Sequence, residues 1–350
     1  MGEQVDSSSA LMRVGEVSMR KAWPRKINPR QNISRYTGAM KKLISFLRAG
    51  VGIALVPMLC VQQSFAWGAE GHRLINRLAV TILPADMPAF MRNGNAMDAL
   101  EYYGPEPDRW RSPAEPELNA AQAPEHFMDL EYADLAGPLP RQRYDFVRAL
   151  AEAQKKHPDL QLTPEKIGLQ PYETTEVYQR LQSAFRDYRG LLAANKDTRP
   201  LESEILFLAG WLGHYVADGS MPLHTSIQYN GWVGPNPNGY TTEHHIHSLF
   251  EGDFVHANVK PEDVAPLVAD SKPVVFGDVF NDYMAYLRHS NSLVEKTYQL
   301  EKAGGFTGAG TPEGKAFVDQ QLAAGTTELR DMIYTAWVKS AVPVPPYHGN

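Results

Sequence analysis

Residues 205–212 read Ile-Leu-Phe-Leu-Ala-Gly-Trp-Leu, a run that is apolar on every side. Such a segment fits a helix enclosed all round by other elements, so it predicts the central helix of a layered helical body. Five further segments, His72–Ile82, Tyr144–Gln154, Glu176–Ala194, Val279–Leu300 and Gly314–Lys339, carry apolar residues at three- and four-residue steps, as does Glu202–Val216 around the central run. No period-two alternation competes with them, and Pro/Gly-rich stretches at Gly104–Pro116, Gly137–Pro140 and Gly231–Gly239 fall between them. The expected fold is all-α: one mainly helical domain over residues 67–340 with long loops, and a Pro-rich extended tail at 341–350.

The first 66 residues differ from the rest. They hold ten Lys/Arg against three acids, which leaves the other 284 residues with 24 Lys/Arg, 37 Asp/Glu and a net charge of −13. A body this acidic lacks the broad cationic surface through which nucleic-acid binders release counterions. Within the basic segment, Met40-Lys41-Lys42, an apolar stretch at Ala49–Val61 and Ser64-Phe65-Ala66 form the three parts of a secretory signal over 40–66. The stretch is shorter than a bilayer span and is interrupted by Pro57. Residues 1–39 read as a leader extension or an early start. Cleavage after Ala66 would leave a chain beginning at Trp67. It would also remove Cys60, the sole cysteine, so the exported protein would have neither disulfide nor thiolate chemistry.

The chemistry starts on the central helix. His214 and Asp218 lie one turn apart, roughly 5–6 Å between β-carbons, and a buried imidazole and carboxylate are costly unless paired or ligated. Taken alone they read as an ordinary hydrogen-bonded pair. They are joined by His224, six residues on across Ser220-Met221-Pro222, and by His247 and Glu251 at the same one-turn spacing on a second helix. His72, Asp108 and His126 lie upstream near element ends. Five histidines and three carboxylates without a thiol form a nitrogen and oxygen set that suits zinc and, less specifically, other first-row metals. His244 and His245 fall off the Glu251 turn and read as solvated or supporting residues. His157, His256, His289 and His348 lack partners at ligand spacing.

Together these positions, written Trp67-Gly68-x-x-Gly71-His72, Asp108-x-x-Arg111, His126-Phe127-x-Asp129, His214-x3-Asp218-x5-His224 and His247-x3-Glu251, resemble the trinuclear zinc phosphodiesterases. That superfamily comprises single-strand-specific nucleases of the S-one/P-one type and bacterial zinc-dependent phospholipases C. The resemblance implies three Zn²⁺: one on Asp108, His126 and His214, a second on His224, His247 and Glu251, and a third on His72, with Asp218 bridging the first and third. It completes the third with the free amine and carbonyl oxygen of Trp67, which ties export processing to the site. It further implies hydrolysis of phosphodiesters by a zinc-activated hydroxide, with Arg111 steadying developing charge; Asp108 is a second catalytic candidate, though a zinc-held carboxylate is a weak base. Three zinc ions against three carboxylates leave an excess of about three positive charges, enough to draw an anion toward an acidic body.

The nuclease branch is favoured by the 23-residue interval from His224 to His247, by Arg111, and by Phe127 and Asp129, which would stack on and hydrogen-bond a base. The expected substrate is single-stranded DNA or RNA, and the expected enzyme a secreted or periplasmic endonuclease with no stable membrane insertion. Against this, Glu251 stands where the nucleases usually carry Asp and the phospholipases Glu, His-Phe-x-Asp occurs in both branches, and the nucleases' Gly-Gly-Asn is replaced by Tyr229-Asn230-Gly231-Trp232. Phe127 therefore also reads as a packing residue, Arg111 as an ordinary surface residue, and Tyr229 and Trp232 as either an aromatic wall or loop packing. A phospholipase C acting on headgroups is the alternative, and an inactive zinc-binding protein is the second.

Overall fold

The computed structural model describes residues 67–345, all within one compact unit spanning 62–350. The expected leader (1–39), signal (40–66) and last tail residues lie outside the described residues. Among the described residues, eight helices of nine residues or more carry the fold: α1 (Gly68–Thr81), α2 (Gly94–Tyr103), α3 (Arg143–Lys156), α4 (Gln170–Ala193), α5 (Arg199–Ser220), α6 (Val279–Asn291), α7 (Val294–Lys302) and α8 (Pro312–Lys339). Shorter helical turns link them, and among the described residues there is no strand, only two isolated β-bridges.

The apolar run folds as expected into the interior of α5, which packs against α1, α2, α4, α6 and α8. Ile205, Leu208, Ala209 and Leu212 are buried, each large side chain contributing roughly 1.5–3 kcal/mol by leaving water. Its two bulkiest members, Phe207 and Trp211, are half-buried and are covered by rings: Tyr103 meets Phe207 edge-on at 5.3 Å, and Trp110 meets Trp211 at 5.2 Å. Glycines set how closely α5 can approach its neighbours. A β-carbon on Gly210 would stand 2.4 Å from Tyr103 Cβ, and one on Gly213 would stand 2.0 Å from Asn76 Oδ1.

Most helices extend past the periodic segments because their first turns tolerate residues that carry no pattern. α4 and α5 each begin with a proline in the first turn, at Pro171 and Pro200, where a missing N–H costs nothing. α8 starts behind Thr311, whose hydroxyl accepts the Gly314 N–H. The segment expected as one helix over Val279–Leu300 is two. Ser292 Oγ donates back to the His289 carbonyl at 2.6 Å, and Asn291 Nδ2 leaves to bond the Thr225 carbonyl at 2.8 Å, so the chain turns at 292–293. The second ligand-bearing helix also departs from expectation. Ile246–Ser248 is a single α-turn, Leu249–Asp253 is π-helical, and Phe254–Asn258 returns to α. A one-turn π segment of this kind re-aims the side chains on it.

No helix among the described residues is long and apolar enough to cross a membrane.

Candidate metal centre

α5 delivers His214 and Asp218 into the interior, where both are fully buried. α1 brings His72 alongside, its ring stacked on that of His214 at 4.0 Å between centroids. Asp108 comes from the short turn Glu106–Arg109, and His126 from the end of the 3-10 turn Ala123–His126. After α5, Met221 and the 3-10 turn Pro222–Thr225 reverse the chain and bring in His224, while the irregular helix at 246–258 supplies His247 and Glu251.

These side chains form three groups whose donor atoms lie within 4.8 Å of one another: His72, His214 and Asp218; Asp108, His126 and His214; and His224, His247 and Glu251. Asp218 joins the first two groups. Its Oδ1 is 3.4 Å from His72 Nε2, and its Oδ2 is 3.3 Å from His126 Nδ1 and 3.4 Å from His214 Nε2. In the third group Glu251 Oε2 is the focus, 3.1 Å from His247 Nε2 and 3.5 Å from His224 Nε2. The backbone N–H of Trp67 donates to the same oxygen at 3.0 Å. Trp67 is wholly buried, and its indole N–H is shared between the Ala217 carbonyl and Ser220 Oγ at the end of α5. Its carbonyl oxygen accepts the Gly71 N–H.

Backbone carbonyls orient three of the rings. His214 Nδ1 donates to Gly104 at 2.8 Å, His224 Nδ1 to His126 at 2.7 Å, and His247 Nδ1 to Tyr229 at 2.9 Å. Each bond fixes the tautomer and leaves Nε2 as a lone-pair donor facing the cluster. The sequence reading missed these three acceptors because any residue supplies a carbonyl.

A cation fits the donor set. Both oxygens of Asp108 and both of Asp218, all deeply buried, have no hydrogen-bond partner among the described residues, an arrangement that costs several kcal/mol unless something positive sits between them. Burial drives the Asp108 and Asp218 carboxyls well above the carboxylate range and holds His126 and His214 well below the usual imidazole value. Glu251 behaves differently. Burial opposes its charge, but His247 and His224 outweigh it and hold the carboxyl at about 2. Five nitrogens and three carboxylates without a thiol suit zinc.

The cluster opens onto a cleft of ≈ 740 Å³ that reaches His126, His224 and His247. Arg111, Phe127 and Asp129 line the same cleft. Arg111 is 28% exposed with Nη1 4.0 Å from Asp108 Oδ1, so the cleft, not open solvent, is where its charge faces. Phe127 is half-buried and both packs and lines the cleft. Burial, helped by Glu131, raises the Asp129 carboxyl to about 7. The aromatic pair separates: Tyr229 is exposed at the cleft, whereas Trp232 packs on Tyr240 and Tyr298 and donates to the Pro235 carbonyl. His244 is exposed, as expected, and His245 faces Glu243 and Glu301. His256 has a partner after all, Glu70 on α1 at 2.8 Å, which a separation of 186 residues hid.

No family model matches the chain, and no curated protein does. Among solved structures it is similar to the alpha toxin of Clostridium absonum at 12% identity, covering 80% of this chain and 67% of that one with a TM-score of 0.41. It is also similar to the alpha-toxin of an avian strain of Clostridium perfringens at 15% identity, covering 79% and 65% with a TM-score of 0.36. The chain thus spans about two thirds of the length of each toxin, and likenesses this distant carry no argument for its chemistry. The functional case rests on the site: three groups of buried nitrogen and oxygen donors, two of which share His214 and two of which reach one cleft through His126, His224 and His247.

Proposed function

We propose that the chain is an exported, zinc-dependent phosphodiesterase. The observation that carries this reading is the pairing of buried, cation-demanding donor groups with a cleft whose wall holds Arg111. Asp108, His126 and His214 would hold one zinc, and His224, His247 and Glu251 a second. His72 would hold a third, shared with the first through Asp218 and completed by Trp67 once processing frees its amine. Bound zinc ions lower the pKa of water to near neutrality and neutralise charge on phosphoryl oxygens. The protein's own part is positioning. The Gly104, His126 and Tyr229 carbonyls hold the imidazoles in their donating tautomer. Arg111 offers guanidinium donors to the phosphoryl group, where removal of one such donor costs about 10²–10³ in rate.

Two substrate classes each have an observation behind them. Phe127 and Asp129 lie on the cleft wall beside the donors, which supports a nucleotide of single-stranded DNA or RNA, stacked and hydrogen-bonded next to its phosphate. The charge around the cleft supports a phospholipid headgroup instead. Arg111 and Lys166 are the cations of its lining, against Asp129, Asp159 and Glu165, with Tyr229 and Val233 exposed at its edge. That lining offers a long polyanion little, and a short phosphodiester with an apolar or cationic substituent more. Zinc-loaded protein beginning at Trp67, assayed on single-stranded DNA, RNA and phosphatidylcholine, tests both. Hydrolysis of none of them rejects the proposed activity, and hydrolysis of lipid alone removes the base-binding roles of Phe127 and Asp129.

A further inference from the structure

The segment after His224 places on the cleft wall an amide side chain that the ligand set does not use. Asn230 is half-buried on the cleft wall, between Tyr229, whose carbonyl holds His247 Nδ1, and Gly231. The backbone N–H of His247 donates to Asn230 Oδ1 at 3.3 Å. Because that N–H can only donate, the amide atom facing it must be the oxygen, and the NH₂ group is turned the other way. Among the described residues nothing accepts from that NH₂, and it is not among the buried atoms without a partner. The side chain therefore ends in two unused N–H donors on the cleft that His126, His224, His247 and Arg111 also line.

The loop that carries it is held rigidly. Tyr298, fully buried, donates its hydroxyl proton to the Gln228 carbonyl at 2.6 Å and accepts the Gly231 N–H at 2.9 Å. Gly231 sits at φ +106°, where a β-carbon would stand 2.8 Å from the Thr242 carbonyl oxygen, so this backbone course requires glycine. Trp232 N–H closes the next bond, to the Thr241 carbonyl at 2.8 Å. Asn230 is thus fixed at the backbone on both sides and at its own Oδ1, and its donors need no reorganisation to meet a ligand. Preorganised neutral donors of this kind are what stabilise charge developing on oxygen.

We propose that the Asn230 amide binds a non-bridging oxygen of the substrate's phosphoryl group, so that Asn230 and Arg111 are two donors to the same anion. The inference rests on the proposed phosphodiesterase reading and adds a substrate-binding residue to it. Asn230 also braces the loop of His247, and a substitution that keeps the brace separates the two roles. In Asn230→Asp a carboxylate oxygen still accepts the His247 N–H, but the donors are replaced by a second, negatively charged oxygen. Asn230→Ala removes both.

The test uses zinc-loaded wild type, Asn230→Asp and Asn230→Ala with three readouts: bound zinc, orthophosphate affinity by calorimetry, and kcat and KM on bis(p-nitrophenyl) phosphate. Expected are wild-type zinc content in Asn230→Asp, at least tenfold weaker orthophosphate binding in both variants, and a fall in kcat/KM of about 10²–10³. Wild-type orthophosphate affinity in Asn230→Asp overturns the proposal and leaves Asn230 as a brace alone. Zinc loss in Asn230→Asp overturns it too, since the residue then acts on the metal ligands. If the wild type binds orthophosphate through Asn230 yet hydrolyses no phosphodiester, the anion site stands and the proposed activity falls.

Discussion

Asp218 turns its two carboxylate oxygens to different partners, Oδ1 to His72 Nε2 at 3.4 Å and Oδ2 to His126 Nδ1 at 3.3 Å. One side chain thus reaches donors of two groups, and its loss should be felt in both. Asp218→Asn keeps the shape and hydrogen-bonding size but removes the charge. The expected result is a loss of at least one bound zinc per chain, measured by metal analysis, and a fall in activity of 100-fold or more; full zinc content with wild-type turnover would remove Asp218 from the metal centre.

Trp67 ties the start of α1 to the same site. Its nitrogen lies 3.0 Å from Glu251 Oε2, and its side chain fills a sealed space against the end of α5. Protein beginning at Trp67 should bind the full zinc complement, because a free amine is a metal ligand and an amide nitrogen is not. Protein with one additional residue before Trp67 should bind less zinc and turn over at least tenfold more slowly. Equal zinc content and equal rates in the two forms would refute a terminal-amine ligand.

The approach of α5 to α1 gives a stability prediction. A methyl group at Gly213 would fall 2.0 Å from Asn76 Oδ1, and Asn76 Nδ2 bonds the His72 carbonyl at 2.9 Å. Gly213→Ala should therefore cost about 1–3 kcal/mol by overpacking, read as a lowered midpoint in denaturant. It should also weaken zinc binding, because the displaced Asn76 is what holds the His72 turn. An unchanged midpoint would show that α1 moves away freely.

Glu328 on α8 sits outside the metal centre, and burial, with help from Asp331 and Asp282, raises its carboxyl to about 8. The unfolded chain releases that proton near pH 4.3, so the folded state binds more protons between about pH 4.3 and 8. Stability from this group is present below the unfolded value and is lost as pH rises through the folded one. Glu328→Gln should flatten the decline, leaving the variant more stable than wild type at pH 8 by on the order of 1–2 kcal/mol. Parallel stability curves for the two proteins across that window would contradict it.

The elements legible in the sequence were those that declare themselves by periodicity or chemical type. The apolar run at 205–212 gave the central helix, and the eight ligand-type side chains at and between His72 and Glu251 are brought together as three groups. Less was visible where backbone geometry decides. The break at 292–293 depends on where Ser292 and Asn291 send their hydrogen bonds, and the π-turn at Leu249–Asp253 has no compositional mark. The pairing of His256 with Glu70 joins residues that are distant in the chain. The split between Tyr229 at the cleft and Trp232 in the packing followed from the course of a glycine-rich loop, which a list of aromatic positions does not contain.

The three imidazoles fixed by main-chain oxygens have a consequence for how this protein can change. Substitution at 229 replaces a side chain but not the carbonyl that sets the His247 ring, so that donor tautomer survives it, whereas Gly104 has no such latitude, because a β-carbon there would stand 2.6 Å from Asn76 Nδ2. The carbonyl of His126 serves His224 in the same way even as the His126 ring faces another group. Cleft residues such as Tyr229 are therefore free to vary, in natural drift or in directed redesign, and alter what the protein accepts without retuning the ligands beneath.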